Sequence, residues 1–136
     1  YQLYESKMLG ADCILLILSM IDINLAKDLE AEAMDIGLDV LIETHNKKEM
    51  NNALTMKSEL VGVNNRNLND FTVDIDNTIS LTGDSADDKI YVSESGIKSR
   101  SDINYIIDKS PARTFLVGES LMRSEKLEEQ IRTLLS

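Results

Sequence analysis

An α/β fold is predicted, its parallel strands forming part of an eight-stranded barrel, and three observations predict it. Apolar runs of strand length alternate with helix-patterned segments along the 136-residue chain, the rhythm of βαβ units. The strands are continuous apolar runs, as in parallel sheets covered on both faces. Four of them end in polar side chains or glycines: Val40-Leu41-Ile42 runs into Glu43, Leu60-Val61-Gly62-Val63 into Asn64, Tyr91-Val92-Ser93 into Glu94-Ser95-Gly96, and Phe115-Leu116-Val117 into Gly118-Glu119-Ser120. Polar C-terminal strand ends describe the rim where α/β barrels keep their active sites.

The elements follow in order. Tyr4 and Met8, one helical turn apart, mark a helix over residues 1–9 that Gly10 stops. Residues 13–18 read as a fully buried strand. Asp22 or Asn24 caps a helix with Leu25, Leu29 and Ala33 on one face, and Gly37 ends it. Residues 40–43 form the next strand. Asn46-Lys47-Lys48-Glu49 has capping-box spacing, with Asn in place of Ser or Thr, and opens a helix to about Lys57. Leu60–Asn64 is a strand, followed by a loop over 65–72 and a short helix over 75–81. Gly83 to Asp88 is polar and turn-like. Residues 90–93 form a strand, and Ser99-Arg100-Ser101-Asp102 starts a helix that ends near Lys109. Pro111, the only proline, sits in the next loop. Residues 114–117 are the last strand and 126–135 the last helix, with Leu127, Ile131 and Leu135 on one face. Residues 1–136 read as part of one domain, without linkers or repeats. Five strands cannot close a barrel of eight. An open doubly wound sheet is the alternative, but the G-x-G-x-x-G turn of a dinucleotide site is missing from the sequence.

The net charge of -10 excludes a nucleic-acid groove, which needs a basic stripe. The longest apolar stretch is far shorter than the roughly 20 residues that cross a bilayer, so no membrane partner is expected. Cys13 is the only cysteine and lies in an apolar run. A lone buried thiol fits a reducing compartment, so a cytoplasmic location is expected. The chain starts at Tyr1 in what reads as a helix already under way, so a piece of a longer protein is expected.

Side chains alternate faces along a strand. Leu41 with Glu43, Gly62 with Asn64, Val92 with Glu94, and Leu116 with Gly118 therefore share faces. If those faces point into a barrel, Glu43, Asn64 and Glu94 converge at its mouth. Two carboxyl groups in a partly dry mouth raise each other's pKa and suit acid/base work. Ser95-Gly96 and Gly118-Glu119-Ser120 follow the last two strands, where eight-stranded barrels commonly hold a phosphate on backbone N–H groups. The Glu119 carboxylate would repel that phosphate, so its role must run through its backbone. Arg66 either meets a substrate carboxylate or holds its loop. His45, the only histidine, reads as a hydrogen-bonded polar group near the rim. With no second His or Cys nearby, no metal site is expected.

Three motifs, Gly62-Val63-Asn64-Asn65-Arg66-Asn67-Leu68, Val92-Ser93-Glu94-Ser95-Gly96-Ile97 and Phe115-Leu116-Val117-Gly118-Glu119-Ser120-Leu121-Met122-Arg123, closely resemble the indole-3-glycerol phosphate synthase family. Val40-Leu41-Ile42-Glu43-Thr44-His45 looks like its fifth strand, and the similarity runs through the chain in order. The resemblance implies a (βα)8 TIM barrel, of which this chain holds strands four to eight. It implies decarboxylating ring closure of 1-(2-carboxyphenylamino)-1-deoxyribulose 5-phosphate to indole-3-glycerol phosphate, with release of CO2 and water. In that family the position matching Glu43 is a general base. Those matching Asn64 and Glu94 hold and polarise the substrate, with Ser95 beside them. Those matching Gly96, Gly118, Glu119 and Ser120 cradle the phosphate, and those matching Arg66, Leu68 and Leu116 line the pocket. The resemblance implies no cofactor and a sugar-phosphate substrate.

The family's general-acid lysine on strand three, in a Lys-Asp-Phe context, has no counterpart here. Nor have the lysine and glutamate of its strand one. Lys7 and Lys27 fall on predicted helices. The isolated chain is therefore expected to be inactive, and to need a missing N-terminal barrel part or to self-associate through its open edges. A non-catalytic phosphate-binding partial barrel is the alternative.

Overall fold

The structure, a computed structural model, describes residues 1–83 and 88–136. Most of the turn expected between Gly83 and Asp88 lies outside the described residues. The described elements are α1 (Gln2–Met8), β1 (Cys13–Ile17), α2 (Ile23–Asp35), β2 (Asp39–Thr44), α3 (Lys47–Ala53), β3 (Leu60–Asn64), α4 (Asp76–Thr82), β4 (Ile90–Glu94), α5 (Arg100–Lys109), β5 (Thr114–Leu116), α6 (Glu119–Met122) and α7 (Leu127–Leu135). Among the described residues the five strands form one parallel sheet in the order β1-β2-β3-β4-β5. Each strand lies beside its successor in sequence. Five parallel strands in sequential order, alternating with helices, form an arc of a (βα)8 barrel.

Alternation along the strands divides the sheet into two faces. Val40, Ile42, Val61, Val63 and Tyr91 are buried together with Ala26 and Ala33 of α2, Met50 and Ala53 of α3, Leu81 of α4, and Ile103 and Ile106 of α5. That face carries the core. The opposite, concave face bears Leu15, Ile90 and Leu116, which are 46%, 46% and 47% exposed. Toward the C-terminal ends of β2 and β4 the same face changes character, and Glu43 and Glu94 are buried there.

Local chemistry sets the helix starts. Asp22, not Asn24, caps α2, its carboxylate accepting from the backbone N–H groups of Asn24 and Leu25. Ser99 and Asp102 form a reciprocal capping box at α5. At α3 the box is offset by one residue. Asn46 accepts from the Glu49 N–H at 3.0 Å, but Glu49 reaches back to the N–H of His45 at 2.8 Å.

Some expectations are corrected. Cys13 is exposed rather than buried, because β1 is an edge strand. The α3 helix stops at Ala53, short of Lys57, where both the Thr55 N–H and hydroxyl turn back to the Asn52 carbonyl. Of the expected α2 face, Ala33 is buried and Leu29 packs against the core, but Leu25 is exposed, and Ala26 and Glu30 complete the buried side. Alanines bring the helix close, and the buried Glu30 carboxylate accepts the Ser58 N–H at 2.8 Å. Tyr4 and Met8 are exposed, and α1 is tied down by a Tyr4–Glu32 hydrogen bond and by Lys7 on the Gly37 carbonyl. In α7 the buried residue is Leu134, while Leu127, Ile131 and Leu135 are exposed. The helix docks through another edge, with Gln130 on the Lys98 carbonyl and Arg100 on that of Leu134. Residues 119–122, between the last strand and the last helix, form the short helix α6.

Candidate active site

Glu43 stands at the C-terminal end of β2, opposite Gly62 of β3, which pairs in turn with Val92 of β4. One step higher, Asn64 pairs with Glu94, and Glu94 with Leu116. Register alone therefore sets the two carboxyl groups one layer and two strands apart. Gly62 closes the gap. A β-carbon at position 62 would stand 1.9 Å from Glu94 Oε1, so the Glu94 side chain lies across the space the glycine leaves open. Its carboxyl group thereby reaches that of Glu43.

The two groups are 5% and 4% exposed. Burial first, and then the negative charge of Glu43 and its hydrogen bond, push the Glu94 carboxyl up to about 8. Both effects favour the protonated form of Glu94. Asn64 Nδ2 donates to Glu43 Oε1 at 3.3 Å, and the same Glu43 oxygen lies 3.1 Å from His45 Nε2. Two carboxyl groups in contact, one of them with a raised pKa and the other beside an amide donor, suit proton transfer to and from a substrate.

The two glycine-bearing turns lie along the same rim. Arg66, Ser95, Gly96, Leu116, Gly118, Glu119 and Ser120 line a cavity of ≈ 540 Å³. Ser95 and Gly96 have φ of 65° and 79°. Gly96 is required there, since a β-carbon would also meet Val73 Cγ1 at 2.4 Å. Gly118 has an ordinary φ and nothing within 4 Å of where its side chain would be. The N–H groups of Gly96, Glu119 and Ser120 meet no protein acceptor among the described residues. Ser120 Oγ donates to the Ile97 carbonyl at 3.1 Å, tying the two turns together.

Arg66 also lines a second cavity with His45, Glu49, Asn64 and Leu68. Leu68 therefore faces the carboxylate side of the rim, not the glycine turns. Glu43 and Glu94 line neither cavity and sit beneath them, buried. The side chain of Glu119, expected to act only through its backbone, pairs with Arg66 and also with Arg123 at 2.9 Å. The Arg66 guanidinium, followed by that of Arg123, holds the Glu119 carboxyl below the usual carboxylate range.

Asn65 is a site residue that sequence reasoning passed over. It is buried, and its amide is fully used. Nδ2 donates to Ser93 Oγ and to the Ser95 carbonyl, both at 3.1 Å, and Oδ1 accepts from the Thr78 N–H and hydroxyl at 3.1 and 2.8 Å. Gripping the Ser95 carbonyl turns the N–H of the same trans peptide, that of Gly96, the opposite way. The only available signal was a second asparagine next to Asn64, one step out of phase with the inward face.

Comparison with known proteins gives the fold and the family. Solved structures of similar fold include thiamine phosphate pyrophosphorylase from Pyrococcus furiosus (TM-score 0.72, 14% identity, 98% of this chain and 62% of that one) and a chain of the tryptophan synthase α2β2 complex from the same organism (TM-score 0.73, 16% identity, 98% and 57%). At such identities the likeness is one of fold alone. Closer in sequence is the indole-3-glycerol phosphate synthase of Polynucleobacter necessarius subsp. necessarius, 48% identical over 124 residues, or 91% of this chain and 46% of the relative. That of Polynucleobacter asymbioticus is 46% identical over the same shares. The chain thus spans about half the length of these curated relatives. The family pattern described as indole-3-glycerol phosphate synthase matches residues 1–134, and the chain belongs to that family.

Proposed function

We propose that residues 1–136 serve as the C-terminal part of a barrel-shaped indole-3-glycerol phosphate synthase, cytoplasmic and acting on a sugar-phosphate substrate without a cofactor. The observation that carries this reading is the Glu43–Glu94 pair, two buried carboxyl groups in contact on the same rim as the glycine turns. Glu43 acts as the base, steadied by Asn64. Glu94, protonated, polarises the substrate, with Ser95 beside it. The backbone N–H groups of Gly96, Glu119 and Ser120 receive the phosphate, Gly118 leaves the cradle open, and Arg66, Leu68 and Leu116 shape the pocket.

Ring closure ends with loss of a hydroxyl as water, which needs an acid to protonate the leaving oxygen. In this reading that acid is the strand-three lysine of a missing N-terminal part, which also covers the half-exposed concave face at Leu15, Ile90 and Leu116. Lys7 cannot stand in, since its Nζ is held by the Gly37 carbonyl at the strands' opposite end. The test adds a separately made N-terminal part of the Polynucleobacter necessarius relative and follows indole-glycerol phosphate fluorescence. Turnover that requires both parts is expected. Parent-like turnover by the 136-residue chain alone, or none by the reconstituted pair, refutes the reading. Phosphate binding without turnover in the pair is the outcome of the non-catalytic alternative.

A further inference from the structure

The single histidine of the chain stands between two carboxylates. His45 Nε2 lies 3.1 Å from Glu43 Oε1, and Nδ1 lies 3.2 Å from Glu49 Oε2. The Nε2 contact is a close charge contact rather than an aligned hydrogen bond. The three side chains are 12%, 6% and 14% exposed for His45, Glu43 and Glu49. None is free to swing. Glu49 Oε2 also accepts the His45 backbone N–H at 2.8 Å, and Oε1 accepts from Asn46 Nδ2 at 2.5 Å. From α4, Asn77 Nδ2 donates to the carbonyls of His45 and Asn64 at 3.4 and 3.0 Å. The backbone under the imidazole is thus held from two helices.

An imidazole with one ring proton presents an N–H to one carboxylate only, whereas one with two presents an N–H and a positive charge toward both. Two carboxylates, one buried and one partly buried, flanking a neutral ring would leave a lone pair facing a negative oxygen on one side. The charged groups at the ring are Glu43 on β2 and Glu49 on α3, with Arg66 and Asp74 of the loop after β3 lining the same cavity, and Glu94 of β4 in contact with Glu43. Negative charge outweighs positive.

We propose that Glu49 and His45 are positioning residues for Glu43: Glu49 holds the imidazole doubly protonated, and the imidazolium keeps Glu43 ionised, so that the pair's proton resides on Glu94. This deepens the reading of Glu43 as base and rests on it. It also gives the displaced cap of α3 a purpose. A glutamate that closed an ordinary capping box would face its own N-cap N–H and not the ring.

The test uses the 136-residue chain itself, in which one histidine gives one set of imidazole signals. Nuclear magnetic resonance follows the His45 ring and the side-chain carboxyl carbons of Glu43 and Glu94 through a pH titration, with backbone amide spectra reporting the fold. In E49Q and in E43Q the His45 midpoint moves down by at least half a pH unit, since each loses an opposite charge. In H45N the Glu43 midpoint moves up by a similar amount. E49Q keeps an acceptor oxygen for the His45 N–H and reads the coupling even if H45N fails to fold. A His45 midpoint unmoved in both glutamine variants overturns the proposal, as does a neutral ring in the parent chain at pH 7. The readout is protonation, not turnover. A coupled titration beside a reconstituted enzyme without activity would therefore sink the functional reading and leave the charge relay standing.

Discussion

Gly62 and Glu94 are complementary: the missing side chain of one is the resting place of the other's carboxyl group. Replacing Gly62 by alanine pushes a methyl group into that space. The atom it meets first is the tip of a flexible side chain, and position 62 has no left-handed φ, so the fold is expected to survive with a stability change of no more than about 1 kcal/mol. The Glu94 carboxyl, driven out, returns from about 8 toward its ordinary range. Carboxyl-carbon titration of the variant reads the shift. In the reconstituted enzyme the same change lowers kcat by roughly 100-fold or more. An unshifted Glu94 in G62A would show that the glycine does not shape the pair.

Stability should fall as pH rises through the range set by Glu94. Its folded value, about 8, lies above its ordinary 4.5. Between the two, the folded chain binds the extra proton, so the linkage slope is negative. The contribution is complete below 4.5, declines above it and is gone beyond 8. Its size is on the order of a few kcal/mol. Urea titrations at intervals from pH 5 to pH 9 measure it, and Glu94→Gln should flatten the curve. A slope that persists in the variant would assign the effect elsewhere.

Glu119 pairs with both Arg66 and Arg123. Replacing Glu119 by glutamine frees both guanidinium groups next to the unpaired N–H groups of the cradle. Inorganic phosphate is then expected to bind about 3–10-fold more tightly at low ionic strength. The gain should shrink as salt rises. Calorimetric titration at two salt concentrations decides it. Equal affinity in parent and variant would mean that the Arg66–Glu119 pair does not compete with anions.

Asn65→Leu removes an amide whose two donors and two acceptor contacts are all in use. It leaves the Thr78 N–H and the Ser95 carbonyl without partners in a buried setting. A loss of about 2–4 kcal/mol in urea unfolding is expected. Phosphate affinity should fall as well, because the Ser95–Gly96 peptide loses its anchor. A variant as stable as the parent would remove Asn65 from the account of the cradle.

The inward sequence of Glu43, Asn64 and Glu94 was legible because strand alternation is fixed by backbone geometry, and a polar residue after an apolar run marks the strand's end. The helix caps at Asp22, Asn46 and Ser99 were legible for a similar local reason. What the sequence hid depends on neighbours across the fold. A continuous apolar run looks alike at the edge and the middle of a sheet, so Cys13 read as buried. The apolar positions of α7 mark a stripe, but only docking shows that Leu134 is the residue buried. Gly62 gave no sign of making room for a carboxyl group two strand positions away in register. Asn65 stood next to Asn64 with the same chemistry, and only its outward phase, toward Thr78 and Ser93, separates their tasks. The His45–Glu49 contact arises from a cap displaced by one residue, which no spacing rule anticipates.

Because every strand of the sheet pairs with the one that precedes it in sequence, each new βα unit emerging from a ribosome finds its template already in place. Assembly can then proceed by growth at a single edge, each step closing one βα crossover and none waiting for a strand further along the chain. Such a sheet is extendable by nature, able to grow from either end without rearranging what has already formed.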